Sequence, residues 1–369
     1  MNILIACDSF KGSLSSTEVC ECISKTLNSE NIKARSCPLA DGGEGTVDAF
    51  CNALKCETIT IPVHDPLMRK IPARYAIAEK TAIIEMAAAS GITLLKKDEL
   101  NPEITSTYGT GELICHAIEK GCTKIIIGIG GSATNDAGKG CLEALGAVFT
   151  DKTGTLLNHG GASLKELENI DLTSFKKVSD YAELIIACDV TSPLFGENGA
   201  TKVFSRQKGA DNRQIENLET ALINFGEKSN GLLEKDYSTL PGAGAAGGLG
   251  FALVAFCGGK LTSGFDAISN ALSLEDKIKN CDLVITGEGK TDSSTLLGKL
   301  PISVTKLSKK HNKPCVLLSG DIEDTVNLSD YFCKTYKCRL STDSTDDAIK
   351  NAKERLIAAT KKLSKDLKL

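Results

Sequence analysis

The chain has no tryptophan, and aromatic residues make up only 5% of its 369 positions. No basic patch stands out, and the net charge is −4. A nucleic-acid surface needs both a basic face and stacking platforms, so that partner class is excluded. Histidine is scarce: His64, His116, His159 and His311 form no HExxH pair, and no GxSxG elbow occurs, which leaves the familiar hydrolase patterns without support. His116 falls on a helical face and reads as structural. No apolar run approaches the roughly 20 residues of a membrane helix. The opening "MNILIACDSF" carries one short apolar run ending at Asp8, with no basic n-region or cleavage site. It reads as a first strand and not as a signal peptide. Cysteine is abundant, with fifteen residues, but Cys7, Cys188, Cys257 and Cys315 fall singly inside apolar segments, where a thiol behaves as a small hydrophobe. Neither "CEC" (20–22) nor "CKTYKC" (333–338) has zinc-site spacing. Buried, reduced thiols in a cytoplasmic protein are the expectation.

What is present is a globular composition, 41% hydrophobic and 24% charged, long enough for two domains with full cores. Short apolar strands alternate with helical patterns, which argues for α/β architecture with largely parallel sheets. "NILIACDS" precedes a helical face of Leu14, Val19, Cys22, Ile23 and Leu27. Further strands are "KIIIGIGG" (124–131), "ELIIACDV" (183–190), "DLVITGEG" (282–289) and "PCVLLSG" (314–320), with "TYGTGELICHAIEKG" a helix stopped by Gly121. Segment 72–91 reads as two antiparallel strands. Ile349, Ala352, Leu356, Ala359, Leu363 and Leu367 trace one C-terminal helix whose lysines form a solvated face. We expect a discontinuous domain of residues 1–65 with 281–369, and a second α/β domain of residues 66–280 inserted in it.

The strand ends carry the chemistry. "ACDS", "ACDV", "TGEG" and "GIGGS" each close an apolar strand with carboxylate or glycine, and ligands of open parallel sheets bind at carboxyl ends. Four such ends suit a polyanion with a metal; the alternative is that Asp and Gly merely cap strands and start helices. "GIGGSATNDAGKG" (128–140) fails the Walker pattern, because Gly138-Lys139 is followed by Gly140 and lies too far from Gly131. "VITGEGKT" (284–291) fails as well, with Val284 at the first glycine position. The dinucleotide pattern fits better: Gly128-x-Gly130-x-x-Ala133 follows a strand, and Asp151 lies twenty residues past Gly131, so an NAD-dependent dehydrogenase is one reading. Against it, Asp136 is expected in the first turn of the following helix, where a carboxylate competes with a pyrophosphate unless a cation bridges them. A second match, Gly242-x-Gly244-x-x-Gly247, follows Pro241 and reads as a helix-start loop. "PLADGGEGT" (38–46) offers Asp41 and Glu44 around Gly42 and Gly43, a nest with carboxylates suited to hydroxyls or Mg²⁺. "DSFKGSLSS" (8–16) places Lys11 and Ser13 at the expected start of the first helix, attractive to a carboxylate or phosphate. "RQKGA" (206–210) adds Lys208 as a further cation, with Arg206 at the surface. Phosphoryl transfer suits a site without histidine.

Together, "DSFKGSLSS", "PLADGGEGT", "IIEMAAASG", "TYGTGELI", "GIGGSATNDAGKG", "ACDV", "QKGA", "PGAGAAGGLG" and "TGEGKTDSSTLLGK" resemble, in this order, the bacterial glycerate kinase type-1 family over roughly residues 1–320. Lys290 stands where that family usually has arginine, Ser294 where it has glutamine, and Ala137 where it has glycine. The resemblance implies two unlike α/β domains, one Rossmann- or flavodoxin-like with a parallel sheet, the other with a mixed sheet, and a site in the cleft between them. It also implies ATP- and Mg²⁺-dependent phosphorylation of D-glycerate, to 2-phosphoglycerate in many bacterial members. On this reading Lys11 and Ser13 take the substrate carboxylate, while Asp41, Gly42, Gly43 and Glu44 lie at its hydroxyls. Gly130, Gly131, Ser132, Thr134, Asn135, Lys208 and Lys290 hold the nucleotide phosphates, and Mg²⁺ is held among Asp136, Asp189, Glu288 and Asp292. Asp189 or Asp8 is the base, and the protein acts as a monomer or homodimer. A non-catalytic binding protein on the same scaffold is the remaining rival.

Overall fold

The computed structural model describes residues 1–39, 47, 50, 51, 56–233 and 235–367. The chain divides into two compact units: the N-terminal segment with the chain from Ile268 onward, and a second built mainly of Cys56–Ala267. In chain order the strands of the two principal sheets are β1 (Asn2–Ile5), β2 (Lys33–Ser36), β3 (Glu57–His64), β4 (Lys70–Ala78), β5 (Thr81–Glu85), β6 (Lys124–Gly128), β7 (Glu183–Ala187), β8 (Lys260–Thr262), β9 (Leu283–Thr286), β10 (Cys315–Ser319) and β11 (Lys334–Lys337). Among the described residues no helix is long and apolar enough to cross a membrane.

The first unit is built on the sheet β11–β10–β9–β1–β2, in which every neighbouring pair is parallel. Its inner strands are unbroken apolar runs buried on both faces, "LVIT" in β9 and "CVLLS" in β10, as a parallel sheet covered by helices requires. The first helix, Ser16–Ser29, is started by a capping box between Ser15 and Glu18 and buries Val19, Cys20, Ile23 and Leu27. Leu14 precedes the helix and bridges back to Phe10 instead. The expected single C-terminal helix is two, Thr345–Lys350 and Ala352–Leu367. A capping box at Ser344 starts the shorter one and the chain breaks at Asn351, so Ile349 is exposed while Leu356, Ala359 and Leu363 bury.

The second unit carries the mixed sheet β8–β7–β6–β5–β4–β3, parallel from β8 to β5 and antiparallel from β5 to β3. The antiparallel β4–β5 pair matches the sequence expectation for 72–91, but β3 was not foreseen. Its Thr-Ile alternation leaves the threonines exposed and the isoleucines half-buried, and Pro62 interrupts it, a residue confined to edges because it cannot donate to a ladder. Pro62 pairs with Pro72 of β4, on the part of β4 that β5 does not reach. The core holds Ile125, Ile127, Leu184 and Ile186 with a cluster of Phe149, Phe225, Phe251 and Phe256, whose ring centroids lie 5.8–6.2 Å apart. All fifteen cysteines are free, and of those named as buried hydrophobes Cys7, Cys257 and Cys315 are so. Cys188 is half-buried and Cys333 exposed.

Phe225 is fully buried and touches three other rings, so Phe225→Ala is expected to cost about 3–5 kcal/mol of stability through lost burial and the cavity left behind. Urea unfolding should show a lowered midpoint with an unchanged slope; a midpoint within error of wild type would remove this cluster as the unit's core.

Candidate phosphate-loop and carboxylate sites

Loop 128–140 leaves the carboxyl end of β6 in the second unit. Gly130 and Gly131 are exposed, and everything from Ser132 to Gly140 is buried. Backbone bonds strap the tip to its neighbour: Ile92 N donates to Gly131 O at 2.9 Å and Ala133 N to Ser90 O at 3.0 Å. Behind the loop runs the segment Ala200–Lys208, the helix Ala200–Phe204 followed by a short 3₁₀ turn. Thr201, Ser205 and Lys208 lie at i, i+4 and i+7, a spacing that puts them on one helical face, and all three are buried. Asn135 Nδ2 donates to Thr201 Oγ1 at 3.0 Å, and Ser205 Oγ donates to Asn135 Oδ1 at 3.2 Å. Lys208 Nζ donates to Ser132 Oγ at 2.8 Å and to Thr134 O at 2.6 Å. Burial drives the Lys208 pKa down to about 7, with Asp136 pulling the other way.

Asp136 is fully buried. Its carboxylate accepts from Thr107 N at 2.8 Å, Thr107 Oγ1 at 2.9 Å, Gly138 N at 3.2 Å and Gly140 N at 3.2 Å. Three of the four donors reach Oδ2 and one reaches Oδ1, so Asp136 braces the loop mainly through one oxygen. It also lies before the following helix, which begins only at Lys139, and not in the first turn as its sequence position suggested. "PGAGAAGGLG" wraps the loop from the other side. Ala246, Gly247 and Gly248 are non-helical within the run Ala245–Ala255, and Ala137 N donates to Gly247 O at 2.9 Å. A Cβ on Gly247, whose φ is +68, would sit 2.1 Å from Thr134 O, so only glycine fits there.

Asp189 is exposed past the end of β7, and its Oδ1 accepts from Gly264 N at 3.0 Å. Asp151, the acid of the dehydrogenase reading, spends Oδ1 on its own turn, accepting from Thr153 N, Thr153 Oγ1 and Thr155 N. Those bonds hold its pKa below the usual carboxylate range. His116 Nδ1 pairs with Tyr75 Oη at 2.9 Å, in keeping with a structural part.

In the first unit the chain passes from β1 to β2 on one side, while β9, β10 and β11 run away on the other. The carboxyl ends of β1 and β9 therefore frame a topological switch point, where open α/β sheets bind ligands. Asp8 N donates to Gly287 O at 2.9 Å, and a Cβ on Gly289 would come within 3.0 Å of Lys11 N. Glycine there lets the 8–13 turn close onto the β9 loop. Asp8 Oδ1 accepts from Ser9 N at 2.7 Å, and Lys11 is exposed. Ser13 is not at the helix start: its N and Oγ both bond Phe10 O at 2.8 Å, and the helix opens at Ser16. Glu288 is buried, with Oε1 accepting from Thr291 Oγ1 at 3.0 Å and Thr295 Oγ1 at 2.8 Å. Burial pushes its pKa up. Asp292 accepts from Ser294 and lies 4.0 Å from Lys290 and 3.8 Å from Lys299. Lys290 is exposed and pairs with Glu323 at 2.7 Å. Asp41, Gly42, Gly43 and Glu44 lie outside the described residues. Among the described residues, no three His, Cys, Asp or Glu side chains gather as a metal-ligand group.

Sequence reasoning thus named Ser132, Thr134, Asn135 and Lys208, which the structure brings together, but missed Thr107, Thr201, Ser205 and the backing role of Gly247. The i, i+4, i+7 spacing of Thr201, Ser205 and Lys208 was the available signal.

Two α/β units, one with an all-parallel sheet and one with a braced, glycine-rich loop at a strand end, are a frame that suits phosphate chemistry. The glycerate kinase family model matches residues 3–368. The chain is 42% identical to the glycerate 2-kinase of Escherichia coli (strain K12), covering 100% of this chain and 98% of that protein. It is 41% identical to the glycerate kinase of Bacillus subtilis (strain 168), covering 89% and 87%. A crystal structure of a glycerate kinase 2 candidate from Salmonella typhimurium LT2 superposes with TM-score 0.91 at 40% identity, covering 100% of this chain and 98% of that one. The chain belongs to the glycerate kinase family, and so to the phosphotransferases. The dehydrogenase reading finds no support.

A lysine with a folded-state pKa near 7 sheds its proton on folding between pH 7 and the ordinary lysine range. Over that window the unfolded chain binds more protons, so this group makes stability rise with pH. The stability difference between wild type and Lys208→Met is therefore expected to grow above pH 7, by up to about 1.4 kcal/mol per pH unit. Urea titrations of both proteins at pH 7, 8 and 9 measure it; a constant difference would place the Lys208 pKa outside this window.

Proposed function

We propose that this chain transfers the γ-phosphoryl group of ATP to a hydroxyl of D-glycerate and that the product is 2-phosphoglycerate. The observation that carries the reading is the braced loop 130–135 at a strand end, in a chain of this family. The E. coli relative's name, glycerate 2-kinase, favours the 2-position. The exposed Gly130 and Gly131 backbone lets phosphates approach closely, while the buried network fixes the donors behind it. Lys11 is an exposed cation at the β1–β9 switch point and meets the substrate carboxylate, with Asp41 and Glu44 at the hydroxyls. Asp189, or failing it Asp8, takes the proton from the attacking hydroxyl. Mg²⁺, when bound, would supply charge neutralisation at the phosphates. Such a hard cation needs only one or two protein carboxylates beside phosphate and water; the candidates are Asp189 in the second unit and Glu288 and Asp292 in the first. The protein acts as a monomer or homodimer.

³¹P NMR of a reaction containing ATP, Mg²⁺ and D-glycerate is the test. A phosphomonoester on C2 is expected; a C3 ester would correct the regiochemistry, and unchanged ATP would sink the activity. Asp189→Asn is expected to lower kcat by about 10²–10⁴, the usual worth of a general base, and a near-normal kcat would move that role to Asp8. Lys11→Ala should raise the KM for glycerate and leave that for ATP; the reverse pattern would put Lys11 on the nucleotide.

A further inference from the structure

We propose that Ser132 is the hydroxyl that donates from the loop to a phosphate oxygen of the nucleotide, and that Lys208 sets the direction of that donation without touching the nucleotide. The proposal rests on the ATP-dependent reading above and assigns the two residues different tasks.

An ammonium has three donors and no acceptor. In the Lys208 Nζ to Ser132 Oγ bond of 2.8 Å, the ammonium must donate and the serine oxygen must accept. The single proton of Ser132 is then left for another acceptor, and among the described residues Lys208 is the one hydrogen-bond partner of this hydroxyl. Ser132 keeps 8% exposure directly after the exposed Gly130-Gly131 tip, whereas Lys208 keeps 2%. Thr134 Oγ1 is buried outright. So of the three polar side chains here, Ser132 is the one placed to meet an anion, and Lys208 can act on it only through the serine. A bond to a charged donor is about twice as strong as a neutral one, and it polarises the hydroxyl it reaches.

The neutral amine would undo this arrangement, because it can accept the serine proton and turn the donor inward. Burial holds the amine close to its neutral form around pH 7, and Asp136, on the loop itself, is the charged group whose field favours the ammonium. An anion at Ser132 favours the ammonium further. Binding of the nucleotide above pH 7 is thus coupled to proton uptake by Lys208, a coupling that a purely structural lysine would not show. Lys208 is a positioning residue on this account.

The experiment is calorimetric titration of the full chain with ATP in Mg²⁺ buffer, without glycerate, at pH 8 in two buffers of different ionisation enthalpy. Wild type is expected to take up a fraction of a proton per ATP relative to Lys208→Met, Lys208→Arg and Ser132→Ala. Ser132→Ala and Lys208→Met should each weaken binding about tenfold or more, the size of one hydrogen bond to a charged group. The double variant should bind no more than about twofold weaker than the weaker single, since neighbours acting as one unit are not additive. Lys208→Arg should keep affinity but lose the proton linkage. Independent losses that multiply in the double variant, proton uptake that survives in Lys208→Met, or no ATP binding by wild type would each overturn the proposal. If Lys208→Met shows no cooperative melt, Ser132→Ala and Lys208→Arg decide by the same criteria. Coupled ATP binding by a wild type that forms no phosphoglycerate would end the kinase reading and leave the relay standing.

Discussion

Lys208 donates from the buried side to Ser132 Oγ and Thr134 O, and the shape of loop 128–140 depends on that contact. Five glycines in thirteen residues leave the backbone little reason to hold one conformation, since each glycine loses more freedom on folding than any other residue. The loop is therefore fixed from outside itself. Lys208, Thr201 and Ser205 hold one face, Thr107 holds Asp136, and Gly247 presses on Thr134 where no side chain would fit. A buried polar set of this kind is stable only when nearly all its members are satisfied. Here the exception is the Thr134 hydroxyl, beside an ammonium whose charge burial already disfavours.

Both sheets place their candidate site residues at carboxyl ends, but for different reasons. In the first unit the parallel sheet reverses its winding between β1 and β9, and the divergence of connections exposes those two strand ends together. That is why Asp8, Lys11, Glu288 and Lys290, remote in sequence, share one edge. In the second unit β5, β6 and β7 are parallel neighbours in register, Glu85 opposite Gly128 and Gly128 opposite Ala187. Their following loops therefore begin at one level. The antiparallel strands β3 and β4 extend this sheet on the far side.

The parallel strands β1, β6, β7, β9 and β10 were legible because each is an apolar run closed by glycine or carboxylate; the short, mostly polar edge strands β2, β8 and β11 were not. Nor was β3, since an edge strand with exposed threonines and a proline resembles a loop. The break at Asn351 was hidden because the apolar period continues across it. In the site, sequence reading could find residues that look chemical: Lys208, Asn135, Ser132. It could not say which way they point. Lys208 looks like a phosphate ligand in sequence and is buried under the loop. Asp136 looks like a metal ligand and is found bracing the loop, accepting from four donors. Spacing reports the residue type and its rough level on the sheet, whereas hydrogen-bond saturation depends on segments such as Thr107 and Ala200–Lys208 that lie far away in the chain.

Asp136 also explains why this loop departs from the Walker arrangement. There, a helix begins at the phosphate and its free amides and dipole receive the anion. Here the helix Lys139–Ala144 is short, and the amides of Gly138 and Gly140 at its start are bound by Asp136. The protein supplies its own anion to that helix end, so a phosphate gains nothing there. On the proposed reading an incoming anion is met upstream, at Gly130 to Ser132, where the Gly130-Gly131 tip is exposed. Among the described residues the charged group hydrogen-bonded to this stretch is Lys208, through the Ser132 hydroxyl. The carboxylate that argued against a bare dinucleotide thus separates two tasks along one loop: Asp136 closes its helical end, and on the proposed reading Lys208 charges its open end.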